Sequence, residues 1–349
     1  MKFDVFLPSL LVSPDWFADS DPPRLAAIEA MLARGTSRVG GAWPTILLPA
    51  FGAESVDALG AFAAFAAFGD DLDTGARGWM FAEPAHFQAD RDTLNLLPCA
   101  QLDISTSEAV QLISALNANF ADRGLAFFRG ASGYWYVSCD ADELPQTTPI
   151  RASRRGAIFE KLPQSRGTLS WKAIQNEAQM LFHSHVVNDA RAVAGKLSIN
   201  GLWFWGEGVL PKMANGSKPT IGAVCGDIPL AKGLAKWVNA RYAPVGQIPV
   251  ADAAATSNHS VLVIDTLAIP LERGDIPSWQ EAVLKLDSNI FIPLLASLRA
   301  GTIDEVILTL PRDRDSLIFT INSQSLRGLN GWWKNFTKKT RPFLESSLA

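Results

Sequence analysis

His185, Asn188 and Arg191 stand three residues apart in the stretch LFHSHVVNDARAVAGKLSINGLWFWGEGVLP, residues 181–211. At helical pitch they crowd one side of a helix end. A guanidinium is a fork-shaped donor for phosphate, and an amide adds neutral hydrogen bonds, so the group reads as a pocket for a small phosphorylated or anionic metabolite. The same residue types also pin a helix end to its following loop through backbone hydrogen bonds, and both readings stand at this point. Gly206-Glu207-Gly208 follows a strand-like run. Its backbone can form an anion-receiving nest or an ordinary tight turn.

Other chemistry is thinly represented. The chain has four histidines, at 86, 183, 185 and 259. His183 and His185 are two apart, so on a helix they diverge by roughly 200° and cannot chelate one metal. Cys99, Cys139 and Cys225 are scattered, with no CxxC pair; they fit reduced, buried thiols of a cytoplasmic protein. There is no GxSxG elbow, no phosphate-binding P-loop, no GxGxxG after a strand and no HExxH. Asp265, Asp275 and Asp287 are acid–base candidates with nothing pairing them. Asp90-Arg91-Asp92 reads as a solvated turn, the alternative being that Glu83, His86 and Arg91 line a cleft between domains.

The elements that must carry these residues alternate. Phe3–Leu7 reads as a strand, Arg24–Arg34 as a helix ended by Gly35, and Ala58–Phe68 as a buried apolar helix. A β-β-α-β-β block follows: strands Trp79–Ala89 and Thr93–Leu97, a helix capped by Ser105 or Thr106, and strands Leu125–Phe128 and Tyr134–Ser138. From Thr168 strand and helix alternate, the pattern of a mostly parallel sheet. The expected order is helix Ser170–Val187, strand Gly201–Trp205, strand Thr220–Cys225, helix Leu230–Arg241 with Asp227 as cap, strand Val261–Leu267, a helix Trp279–Leu298 kinked at Pro293, and strands Val306–Leu310 and Leu317–Ile321. A last helix carries Trp332, Trp333 and Phe336 beside Lys334, Lys338, Lys339 and Arg341. It is expected to dock its aromatics on the core and leave its cations in water. The expected organisation is a core of residues 1–75 and 167–349 interrupted by an inserted α+β domain over 76–166.

Bulk properties agree. With 349 residues, 48% hydrophobic and 19% charged, the chain can bury a large core in about two domains. A net charge of −4 gives no global pull towards nucleic acid or anionic membrane. The apolar run Ala58–Phe68 is about eleven residues, short of the ~20 that span a bilayer.

Residues 181–211 resemble a segment of the archaeal-type cofactor-independent phosphoglycerate mutases, in which a histidine is followed by Asn, Arg, a turn, Asn, an apolar strand, Gly-x-Gly and Pro. The matching positions are His185, Asn188, Arg191, Asn200, Gly206, Gly208 and Pro211. Leu25–Gly35 and Ala58–Asp71 are similar to the family's first two helices. The resemblance implies an alkaline-phosphatase-like α/β core with an inserted domain, and a substrate-touching role for His185, Asn188, Arg191, Asn200, Gly206 and Gly208. It also implies two metal ions and a Ser or Thr nucleophile, and here the chain departs from the family. Pro8-Ser9 stands where an Asp-Gly pair is expected. Gly60 stands near the nucleophile's place. Asp265-Thr266-Leu267 keeps one carboxylate and no histidine, and Leu310-Pro311-Arg312-Asp313 replaces an Asp-His pair. The expectation is a mutase-like pseudoenzyme without metal or other cofactor, regulatory in role and cytoplasmic. Its partner would be a phosphorylated metabolite or a protein, with no nucleic acid or membrane. The alternatives are a mutase or phosphatase with substituted ligands, and a protein-interaction module whose surface is the Trp-rich C-terminus.

Overall fold

The chain begins with β1 (Lys2–Phe6), whose apolar residues are buried on both faces, as a central strand of a parallel sheet requires. In the computed structural model, which describes residues 1–18, 21–53, 61–90, 93–149, 161–211, 220–245, 258–312 and 315–327, β1 leads to α1 (Ala26–Arg34), β2 (Thr36–Gly40) and α2 (Trp43–Ala50). Ala27, Ile28, Met31 and Leu32 form the buried stripe of α1. Its first turn lacks a cap of its own. Asp287, 260 residues away in sequence, accepts hydrogen bonds from the Ala27 and Ile28 N–H groups at 3.3 and 2.9 Å.

Residues Ala53–Asn215 form a compact unit of their own. It contains α3 (Phe62–Gly69), β3 (Gly78–Asp90), β4 (Thr93–Pro98), α4 (Thr106–Phe120), β5 (Ala126–Arg129), β6 (Trp135–Cys139), α5 (Trp171–His183), α6 (Val186–Val193) and β7 (Gly201–Val209). The five strands make one antiparallel sheet in the order β4-β3-β6-β5, with β7 paired to β3. One face, including Met80, Leu202 and Phe204, packs against α4, α5 and α6 through Leu116, Phe120, Trp171 and Phe182. The other carries Trp79, Phe81, Tyr136 and Trp205 in ring contact, with Phe81 and Trp205 stacked at 4.5 Å, and α3 lies against β3 and β7.

The remaining elements belong with β1 and β2 in the second compact unit, Met1–Gly52 and Gly216–Ala349. They are β8 (Ala223–Gly226), α7 (Pro229–Val238), β9 (Arg241–Ala243), β10 (His259–Val263), α8 (Ala268–Arg273), α9 (Ile276–Leu286), α10 (Ile292–Ala300), β11 (Glu305–Pro311), β12 (Ser316–Asn322) and α11 (Ser323–Arg327). The seven-stranded sheet runs β2-β12-β11-β1-β10-β8-β9; β11, β1, β10, β8 and β9 are parallel, β12 runs against them, and β2, antiparallel to β12, runs with them. Phe3, Val5, Cys225, Leu262, Val306 and Leu308 face α1, α9 and α10. On the opposite face, Gly226 lets α7 approach: a Cβ there would stand 2.2 Å from that of Ala231.

Several expectations need correction. Strand β7 belongs to the antiparallel sheet, and Ala53–Asn215 is wider than the expected 76–166 at both ends. The expected helix Ser170–Val187 is two helices, broken at Ser184 and restarted by His185. Helix Trp279–Leu298 is interrupted by a π turn over Asp287–Phe291, and Pro293 falls in the first turn of α10 directly after it. Asp227 does not cap α7, whose N-cap is Ile228. Gly60, Arg91, Asp92, Asp313 and the aromatic and basic group from Trp332 to Arg341 lie outside the described residues. No helix among the described residues is long and apolar enough to cross a membrane.

Candidate functional site

Two places qualify: the His185–Gly208 segment singled out by residue type, and the carboxyl ends of the parallel strands, where open α/β sheets place their ligands. In the first, every candidate side chain meets protein. His185 is the N-cap of α6, its Nδ1 accepting the Val187 N–H at 3.2 Å. Asn188 is buried. It donates to the carbonyls of Phe182 (2.7 Å) and Ile199 (2.8 Å) and accepts from the Ile199 N–H (2.8 Å). Arg191 is 2% exposed. Its Nε donates to Leu197 O at 2.7 Å, Nη1 to Glu108 Oε1 at 2.8 Å, and Nη2 to the Leu102 carbonyl. Asn200 continues the β3–β7 ladder with its side-chain amide, accepting from Phe87 N–H (2.7 Å) and donating to Phe87 O (2.9 Å).

Gly206 and Gly208 lie inside β7, not in a turn after it. The β3–β7 register steps from Trp79↔Gly208 to Phe81↔Trp205, so β7 carries one extra residue there. Gly206 takes the left-handed φ of +73° that such a bulge uses. At Gly208 a Cβ would come within 2.4 Å of the Ala61 Cα, and Ala61 N–H donates to Glu207 O at 3.2 Å. The bulge therefore seats the N-terminus of α3. The intervening Glu207 is 2% exposed, and its carboxylate accepts from the Thr147 N–H at 3.1 Å and from the Thr147 hydroxyl. Burial pushes this carboxyl above its ordinary value, against those hydrogen bonds.

An anion at this segment would have to displace internal partners of Asn188 and Arg191. The geometry matches the pinning alternative. Glu108 escaped the sequence reading: it completes the capping box of α4, with Ser105 N–H donating to it at 2.7 Å, and receives Arg191. Burial works to raise its carboxyl, but the hydrogen bonds from Ser105 and Arg191 outweigh this and hold it below the usual range. The Ser-x-x-Glu spacing at 105–108 was the available signal.

At the second place, Pro8-Ser9 follows β1, Asp227 follows β8, Asp265-Thr266 follows β10 and Arg312 follows β11. Strands β8 and β10 are neighbours whose following helices cover opposite faces, the arrangement of a topological switch point. Asp227 joins them, accepting the Asp265 N–H at 2.8 Å and the Thr266 hydroxyl. Ser9 sits at φ +64°, its carbonyl accepting the Trp279 indole N–H at 2.9 Å. Arg312 forms a two-pronged pair with Asp315, at 2.5 and 2.9 Å. The other two acid–base candidates have structural posts: Asp275 caps α9 by accepting the Ser278 N–H at 3.0 Å, and Asp287 caps α1.

No family model matches the chain. The 2,3-bisphosphoglycerate-independent phosphoglycerate mutase of Methanosarcina barkeri is 26% identical over 226 residues, 60% of this chain and 56% of that protein. A probable enzyme of the same name from Geobacter sulfurreducens is 28% identical over 152 residues, 41% of this chain and 37% of that one. The chain is a distant relative of the cofactor-independent phosphoglycerate mutases. The matches span about half or less of the length of these curated relatives. Among solved structures, the PH0037 protein from Pyrococcus horikoshii has a TM-score of 0.50 at 15% identity, covering 92% of this chain and 87% of its own. That likeness carries the fold, the alkaline-phosphatase-like α/β class with a mostly parallel, helix-flanked sheet.

The mutase resemblance implies two metal ions at the strand ends, and the described donors do not fit them. Two divalent ions need several Asp and His ligands delivered from different strands. The strand ends present Asp227, with both oxygens accepting hydrogen bonds, Asp265, and then Pro8, Ser9 and Arg312. Among the described residues no three His, Cys, Asp or Glu side chains are grouped to hold a metal.

Proposed function

We propose that this chain is a mutase-derived protein that does not run the family's metal-dependent phosphoryl transfer and acts by binding, in a regulatory or scaffolding role. The observation that carries the reading is the make-up of the strand ends. Where a two-metal site needs negative and imidazole ligands, the chain has Pro8-Ser9 after β1 and a cation, Arg312, after β11. The Arg312 guanidinium ties up the Asp315 carboxylate, and one or two further carboxylates do not neutralise a pair of divalent ions. The small phosphorylated metabolite expected at Asn188 and Arg191 is not part of this proposal, because those side chains hold the α5–α6–β7 connection together.

The test is metal analysis and a mutase assay with 3-phosphoglycerate on the purified chain. The expected result is substoichiometric metal and no turnover with or without added manganese. Stoichiometric manganese or zinc together with turnover overturns the proposal. The pair Asp227 and Asp265 on adjacent strand ends favours one second reading, a phosphatase or mutase with substituted ligands. Chelator-sensitive turnover would establish it.

A further inference from the structure

We draw no further inference here: the strongest candidate, the polar hollow at the amino ends of β1 and β11 lined by Lys2, Asp304, Glu305, Asn322 and Gln324, carries nothing, because Lys2 pairs with Asp4 and Asp304 with the Met1 amino group inside the protein and nothing in the structure shows what ligand would fill it.

Discussion

At the scale of single residues, Asn188 separates holding the fold from holding a ligand. Its amide satisfies two buried carbonyls and one buried N–H across the α5–α6–β7 connection. Asn188→Ala leaves all three unpaired where water cannot reach them. The expected loss is about 2–3 kcal/mol, seen as a lower urea midpoint with an unchanged slope. A ligand-binding Asn would behave differently, losing phosphate-ester affinity at constant stability. An unchanged midpoint would therefore sink the pinning assignment. The cluster His185, Asn188 and Arg191 was legible as a cluster, and its members do act together. What they act on was not legible. Arg and Asn bind a carbonyl oxygen by the same hydrogen bonds with which they bind a phosphate oxygen, and the sequence does not say which oxygen is near. Arg191 meets Leu102 and Leu197, whose backbone carbonyls carry no side-chain signature.

At the scale of elements, Gly208 joins two pieces of the sheet unit. The missing Cβ lets the Ala61 backbone approach, and a methyl there would lie 2.4 Å from Ala61 Cα and 2.7 Å from its nitrogen. Backbone atoms cannot rotate aside, so Gly208→Ala must push α3 off the sheet. The expected cost is about 2–3 kcal/mol with a weakened near-UV signal from the Phe81–Trp205 stack. Gly195→Ala is the control: it shares a positive φ, at +68°, but has nothing within 4 Å of a new Cβ, so it should cost about 1 kcal/mol. Equal losses at both positions would mean that close packing at Gly208 is not what matters. Most strands and helices were legible because their apolar periods are clean. The capping box at Ser105 and the buried stripe of α1 are cases in point. The errors share a cause. Strand β7 is apolar on both faces because helices cover both, so it read as a parallel core strand although it pairs antiparallel with β3. Its bulge read as a turn because Gly-x-Gly serves both. The break between α5 and α6 lies in Ser184 and His185, whose neighbours keep a helical pattern across it.

At the scale of the whole molecule, each compact unit buries a carboxylate whose titration is shifted upwards, Glu207 in Ala53–Asn215 and Asp287 in the other. Burial raises both carboxyls above their ordinary values of 4.5 and 3.8, because the charged form loses water that its hydrogen bonds only partly replace. The sign of the consequence follows from proton binding. Between the unfolded and the raised folded pKa, the native state holds more protons than the unfolded one, so stability falls as pH rises through that window. Each pKa unit of elevation corresponds to about 1.4 kcal/mol, present below the ordinary carboxyl value and lost above the raised one. Lowered groups such as Glu108 work the other way, gaining stability above 4.5, so the wild-type profile mixes both signs. Subtracting a variant isolates one group. Glu207→Gln cannot ionise, so its stability relative to wild type should rise as pH climbs above the ordinary carboxyl value of 4.5 and level off above the raised one, whatever the absolute cost of losing one hydrogen bond to Thr147. Urea midpoints at pH 4, 5.5 and 7 read this difference. A difference that is flat or falls with pH would show that Glu207 ionises in the folded protein as easily as in water, and that Thr147 compensates its burial in full.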